Sequence, residues 1–345
     1  MQIVDYIIVG NGYAGMFFAH QLIKSGKSFM MFGSSSSGGS HVSAGVVNPV
    51  VLKKFTSFWL AQEQIDSLKK TLSEMESYTG EIFYVDEPVR RIFHDDNEKS
   101  LWEKKRNTES LSPFLSPQIT RLDGVNNEYG VGTVMQSGRL DVQKFFTSLS
   151  DFLYKQGVLF KESFNYNLLN PVSRKYGNLE YGTTVFCEGM RVLNNPFFSS
   201  IPVQPNKGHH LKVNLASDLN LSSTLKKKHF LFPLSNGKYY YGGTYDRHRF
   251  DQGIDSSAVE ELESGLRLLY PRDFEVAEVN FGFRPTVRDR RPILGVHPDY
   301  KNLFVFNGLG ARGILNGNYF AAILYRHIEL GTDIPVEVDL KRFAQ

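Results

Sequence analysis

Apolar positions fall into two kinds of run along this chain. At the N-terminus Ile7–Val9 is a short continuous apolar stretch that predicts a buried strand, and the spacing from Met16 to Ile23 predicts a helix close behind it. A second such strand is expected over Ser28–Phe32, a third over Thr184–Cys187 and a fourth over Leu303–Phe306, the last followed by a helical pattern from Ile314 through Ile328. The middle of the chain reads differently. Glu81–Val85, His209–Val213, His229–Pro233 and Lys238–Gly242 are separated by turn-rich pieces and read as antiparallel strands, and Ser257–Leu269 has the spacing of a helix that would cover them.

The first strand runs into Gly10, Gly12 and Gly15 of VDYIIVGNGYAG. In that order the first glycine permits a tight turn, the second lets backbone approach a pyrophosphate and the third lets helix pack on strand. Phosphates would sit at the helix N-terminus, where free N–H groups and the dipole favour negative charge. The fold class expected is α/β, a Rossmann-like dinucleotide-binding domain with a central parallel sheet and helices on both faces, interleaved with an antiparallel-sheet substrate domain. Residues 1–75, 136–190 and 280–345 are assigned to the first and residues 76–135 and 191–279 to the second.

A nicotinamide-binding fold usually carries an acid roughly 20 residues after the glycines to hold a ribose hydroxyl. Phe32-Gly33 stands there instead, which argues against NAD or NADP and weakens the ribose contact expected for FAD. The serines Ser34–Ser37 are candidates to replace the acid, or form a loop without a ligand role. Next comes an uncharged loop, Ser43-Ala44-Gly45-Val46-Val47-Asn48-Pro49, whose small residues allow main-chain N–H groups to approach a flat ring.

The far end holds Gly282-Phe283-Arg284-Pro285 and then Asn307-Gly308-Leu309-Gly310-Ala311-Arg312-Gly313, a second glycine-marked junction of strand and helix whose positive end could point at a flavin carbonyl. With FCEG at Phe186–Gly189, PVQPNKGHHL at Pro202–Leu211 and YYGGTY at Tyr240–Tyr245, these segments resemble, in order and over nearly the whole chain, the FAD-dependent oxidoreductases of the D-amino-acid oxidase class, which include glycine oxidase and sarcosine oxidase. NGLGARG also resembles the flavin domain of the bifunctional bacterial enzyme that makes methylaminomethyl uridine in tRNA, without its methyltransferase half. The resemblance implies non-covalent FAD held by Gly10, Gly12, Gly15, Ser43, Ala44, Gly45, Val46, Asn48, Gly189, Gly310, Arg312, Gly313 and Ile314. It also implies that Arg284 grips a substrate carboxylate. A salt bridge from Arg284 to Asp289 or another structural acid is the structural alternative. Besides the missing acid, CEG replaces a run of small residues before its glycine, and His209 stands where the family often has glutamine.

Four further residues carry open readings. Tyr245 and Tyr241 could orient substrate or pack in the core, and His209 could exchange a proton near neutral pH or pack in a turn. His41 could attach the cofactor covalently. Arg288, Arg290 and Arg291 read as solvated or structural, since adjacent arginines cannot all face one small pocket.

Composition narrows the class without choosing a substrate. The 345 residues are 41% hydrophobic and 22% charged, enough for a large core in two domains, and no stretch approaches the roughly 18 to 20 apolar residues of a membrane span. No cleavable leader is apparent, so the cytoplasm is the expected location. The single cysteine, Cys187, reads as a buried small side chain, and no metal-binding spacing is present. The functional expectation is oxidation of the C–N bond of a small amine or amino acid by hydride transfer to FAD, with oxygen or another acceptor taking the electrons. The alternatives are an enzyme acting on a modified nucleoside in tRNA and a flavin-binding protein without catalysis. A net charge of +3 gives nucleic acid little hold unless Lys226-Lys227-Lys228 or Lys104-Lys105-Arg106 folds beside the flavin mouth.

Overall fold

The computed structural model describes residues 3–33 and 38–343. Strand Ile3–Val9 is buried on both faces from Tyr6 onward, as a central parallel strand must be. It lies between Phe29–Phe32 and Leu179–Phe186, parallel to both. Leu159–Phe160 adds a parallel strand beyond Phe29–Phe32, and Leu303–Asn307 another beyond Leu179–Phe186. Ile293–Val296 closes that edge antiparallel. The sheet therefore gathers strands from the beginning, middle and end of the chain, and the C-terminal ends of Val9, Phe32, Phe186 and Val305 lie together.

One face of this sheet is covered by the helices Tyr13–Lys24, Ala61–Thr79, Val142–Lys155 and Gly313–Leu330, which share a core with Tyr6, Ile8, Met31 and Val185. The other face differs from the expected second helical layer. There Ile7, Val9, Phe186 and Val305 pack under Val192, Phe198 and Ile201 and against Phe343, supplied by short 3-10 turns and loops. A layer that thin suffices because aromatic side chains fill it: Phe32, Phe164, Tyr176 and Phe186 lie in mutual ring contact.

A second sheet runs in the order Phe274–Thr286, Gln204–Leu215, Tyr239–Gly242, Phe230–Pro233, Thr224–Lys226, Val89–Ile92, Val131–Val134, Leu115–Thr120. Its pairings are antiparallel except between Thr224–Lys226 and Val89–Ile92. Leu211, Val213, Leu225, Leu231 and Tyr241 face helix Ser256–Leu269, so period-two alternation turns the intervening residues toward the first sheet. Phe274–Thr286 stays in this sheet past residue 280 and helix Ala61–Thr79 runs across residue 75, so the boundaries expected there fall inside regular elements. Of the strand expected over Glu81–Val85 only Tyr84–Val85 forms, pairing with Gly138–Leu140.

Candidate active site

The two sheets face each other across a cleft of about 1040 Å³, at the upper end of the roughly 300–1,000 Å³ common for small-molecule sites. One end begins at the glycine turn. Gly10 has φ +111°, and a Cβ there would come within 2.4 Å of the Cys187 carbonyl oxygen. The adjoining helix Tyr13–Lys24 starts at Gly12, which offers no side-chain cap, and its first turn holds no acid, so it presents an uncompensated positive end to the cleft. Gly15 alone among the predicted cofactor residues does not line the cleft. A Cβ on it would sit 1.9 Å from the Gly10 carbonyl, so its work is the close packing of helix on strand.

The loop after the serine run closes over this junction. Ser43 Oγ lies 2.8 Å from the Tyr13 hydroxyl, and Ser40 Oγ accepts from Tyr13 N–H at 3.3 Å, which ties the loop to the helix. Arg312 donates to the Asn48 carbonyl at 2.6 Å and lies 4.0 Å over the Phe58 ring. Burial lowers its pKa to about 10. Asn307 Nδ2 donates to the Gly189 carbonyl at 2.9 Å, joining the C-terminal glycine segment to FCEG. The helix Gly313–Leu330 likewise starts without a side-chain cap.

At the position of the missing acid, Gly33 has given way to Asn11. A Cβ on Gly33 would stand 2.5 Å from Asn11 Cγ, so the asparagine side chain occupies the space that an acid at position 33 would need. The serines Ser34–Ser37, the other candidates for that contact, lie outside the described residues. Nearby, Glu188 accepts from the Tyr166 hydroxyl and from Asn195 Nδ2, and burial raises its pKa. Glu188 and Glu162 are the acids lining the cleft among the described residues, and both lie at this end, beside Phe164 and Tyr166.

The opposite end is walled by the antiparallel sheet. Arg284 pairs across from Asn206, and one Nη donates to Asn206 Oδ1 at 3.0 Å and to the Thr244 carbonyl at 3.1 Å. Gly208 makes room for the guanidinium, since a Cβ there would meet its nitrogens at 2.4 Å. Tyr245 covers it, with Arg284 Cζ 4.2 Å from the ring centroid. No carboxylate lies within ion-pair distance of Arg284 among the described residues. Asp289 pairs with Arg342 at 2.9 Å, which removes the salt-bridge alternative. Arg288 and Arg290 are exposed and Arg291 stacks on Trp59, as solvated or structural residues would.

The histidine reading shifts by one residue. His209 borders the cleft, but its Nε2 accepts the Asp255 N–H at 3.1 Å and so anchors the start of helix Ser256–Leu269, the packing role left open for it. His210 stacks on Tyr240 with ring centroids 4.5 Å apart on the Arg284 side of the sheet. Burial, with Lys212 and Arg284 nearby, lowers its pKa to about 3. The tyrosine shifts likewise: Tyr241 packs in the core under the helix, and Tyr240 lines the cleft. His41 stacks on Phe146 at 4.0 Å and its Nδ1 has no hydrogen-bond partner. Cys187 is buried, with its thiol pKa pushed up by burial. Of the Lys226-Lys227-Lys228 cluster, expected to matter only if it folded beside the cleft, Lys226 does line this end of it, over the Phe230 ring at 4.2 Å. Lys228 pairs with Glu261 away from it.

The profile of the FAD dependent oxidoreductase family matches residues 5–326. The chain belongs to this family. Among solved structures, glycine oxidase from Geobacillus kaustophilus superposes with a TM-score of 0.82 at 21% identity, covering 99% of this chain and 98% of that one. Iminodiacetate oxidase from Chelativorans sp. BNC1 follows at 0.79 and 18%, with 96% and 97% covered. These likenesses show the shared two-domain fold. A D-amino acid dehydrogenase from Vibrio vulnificus (strain YJ016) is 27% identical over 187 residues, 50% of this chain and 45% of that protein. The match thus spans less than half the length of this curated relative.

The residues present fit the flavin dinucleotide of the family. A glycine turn that excludes a Cβ, two uncapped helix starts and an elongated cleft, with Glu162, Glu188 and Arg191 at one end and Arg284 and Lys226 at the other, suit a pyrophosphate between an adenosine and a ring system.

Proposed function

We propose that this protein oxidises the C–N bond of a small amine or amino acid carrying a carboxylate. The observation that carries this reading is Arg284, a guanidinium without an acidic partner, pointed into the cleft and fixed by Asn206, Thr244 and Tyr245. A planar fork so held is preorganised for two charge-assisted bonds to a carboxylate. When bound, FAD would supply the oxidising power by accepting a hydride from the carbon beside the neutral amine nitrogen, which leaves an iminium that gives the imine on losing a proton to solvent. Gly10, Gly12, the Ser43–Asn48 loop, Gly189 and the Gly310–Ile314 turn would hold it, and Asn11 would give the adenosine ribose an amide where relatives of the nucleotide fold use an acid. The protein's remaining task is orientation and electrostatics. Arg284, Lys226 and Arg312 raise the positive potential at the substrate end, which disfavours an ammonium and favours the neutral amine that can release a hydride. His210, held neutral by burial, adds no competing proton.

The tRNA reading needs a basic track leading to the cleft. Lys104 and Lys105 end the helix Asp96–Lys105 and do not line it, and of the other cluster Lys226 alone does. Purified protein with its native cofactor, titrated anaerobically with amines and amino acids of both hands, tests the proposal by bleaching of the flavin absorbance. Bleaching by carboxylate-bearing amines is expected. A flavin that stays oxidised across the panel would return the protein to the non-catalytic reading; where it bleaches, reoxidation by oxygen or only by a dye identifies the acceptor.

A further inference from the structure

Lys226 is a cation of the substrate end to which the proposed reaction assigns no contact with substrate. It sits in a cross-strand row of directly opposed residues: Lys226 faces Phe230, Phe230 faces Gly242, Gly242 faces His210 and His210 faces Asn280. Opposed residues of a sheet share a face, and Lys226, Phe230, His210 and Asn280 all line the cleft. Arg284 follows Asn280 by four positions on the same strand and so shares the face too.

The ammonium is confined. It donates to the Lys228 carbonyl at 2.8 Å and lies over the Phe230 ring, and it has no ion-pair partner among the described residues. The charges acting on it are Arg91 and Arg284, both positive, and with burial they bring its pKa down to about 7. Arg91 is itself paired with Glu98, which leaves on one wall Arg284 as an uncompensated cation and Lys226 as an amine that a bound anion would hold protonated. Asn280 Nδ2, in the same row, is buried without a hydrogen-bond partner among the described residues and adds a donor. These three groups facing one cavity, with its acids at the other end, form a site for two anionic groups on one molecule. The guanidinium abuts Gly208 and Gly243, and Lys226 lies over the neighbouring Phe230–Pro233 strand, so the groups would be one to two strand spacings apart, ~5–10 Å.

We infer that the substrate is dianionic, a dicarboxylic amine or amino acid whose first carboxylate is held by Arg284 and whose second is held by Lys226 with the Asn280 amide. This deepens the amine-oxidation reading and rests on it for the word substrate, but the paired-anion site is testable by binding alone. The FAD-loaded protein is titrated with glutarate and with butyrate, following the perturbation of the flavin spectrum. Glutarate should bind at least about ten-fold more tightly. Lys226→Met should bring its affinity close to that of butyrate without changing butyrate, Lys226→Arg should keep the preference, and Asn280→Leu should diminish it. Equal affinities in the unaltered protein, or a Lys226→Met loss that is the same for both ligands, would overturn the inference whatever the enzyme oxidises. Anaerobic bleaching with glutamate against glutamine, and iminodiacetate against sarcosine, in K226M and the unaltered protein, then reads the reaction: a glutarate preference with no bleaching by any amine would defeat the oxidation reading and leave the dianion site standing. Tighter binding of a short single-stranded RNA than of glutarate would overturn the small-molecule assignment in favour of phosphates.

Discussion

Arg284 illustrates how a side chain is committed to a ligand by its neighbours. An arginine meant for structure finds a carboxylate, whereas this one is given two neutral oxygen acceptors and an aromatic lid, which fix its plane and leave its charge to be met from outside. Arg284→Ala should therefore retain FAD and lose about 2–5 kcal/mol of transition-state stabilisation for carboxylate-bearing substrates, read as kcat/KM. Arg284→Lys should recover part of it, because an ammonium keeps charge without the two-donor face. Equal losses for an uncharged amine and its carboxylate analogue would move Arg284 to a structural role. Asn11 and Gly33 make a second residue-scale test. Asn11→Ala should weaken FAD by about ten-fold, as loss of a neutral hydrogen-bonding group does, and leave FMN, which lacks the adenosine, unchanged by fluorescence titration. Gly33→Glu should fail alone, with its Cβ 2.5 Å from Asn11, and recover FAD affinity when combined with Asn11→Gly.

At the scale of elements, the antiparallel sheet works through its two faces. Neighbouring residues on one strand have different fates, so Tyr240 belongs to the cleft and Tyr241 to the core, while His210 stacks beside Tyr240 in the cleft and His209, at its border, is engaged by the helix it anchors. Tyr241→Ala should cost about 3–5 kcal/mol of stability in denaturant unfolding, the usual price of a large buried side chain. Tyr240→Phe should leave stability nearly unchanged while altering ligand affinity, since its ring stacking on Phe232 and His210 survives and only a hydroxyl close to Arg284 is lost. A larger stability loss for Tyr240→Phe than for Tyr241→Ala would contradict the assignment of faces. The opening junction depends on contact at a single point: Gly15→Val would drive helix Tyr13–Lys24 off strand Ile3–Val9 and should abolish FAD uptake.

For the whole molecule, buried neutral histidine links folding to acid. His210 titrates near 3 in the folded chain against about 6.5 when unfolded, so between those values the unfolded chain takes up a proton that the folded one refuses. Stability from this group is complete above pH 6.5 and is lost progressively as pH falls toward 3. Melting temperature measured from pH 7 to pH 4.5, above most carboxylate titrations, should fall less steeply for His210→Gln than for the unaltered protein. Parallel slopes would show that His210 is charged or solvated when folded. His229, lowered to about 4 by burial, acts in the same direction and remains in both proteins, so the comparison isolates His210.

The glycine turn, the parallel strands and the two ends of the cofactor site were legible in the sequence because they are local: an apolar run, a glycine where a Cβ cannot fit and a helix start lie within a dozen residues. Arg284 could be singled out for the same reason, by the segment around it. What tertiary structure alone decided was facing and company. Alternation has period two, so a strand's register, set by partners tens of residues away, determines that residue 210 stacks on the Tyr240 face while residue 209 turns to the start of helix Ser256–Leu269. The absence of an acid beside Arg284, the asparagine over Gly33 and the presence of Lys226 in the cleft depend on distances between segments far apart in the chain. Charge in the sequence says only that a side chain is ionisable; whether it is a solvated ornament or half of an anion site is settled by what the fold places next to it.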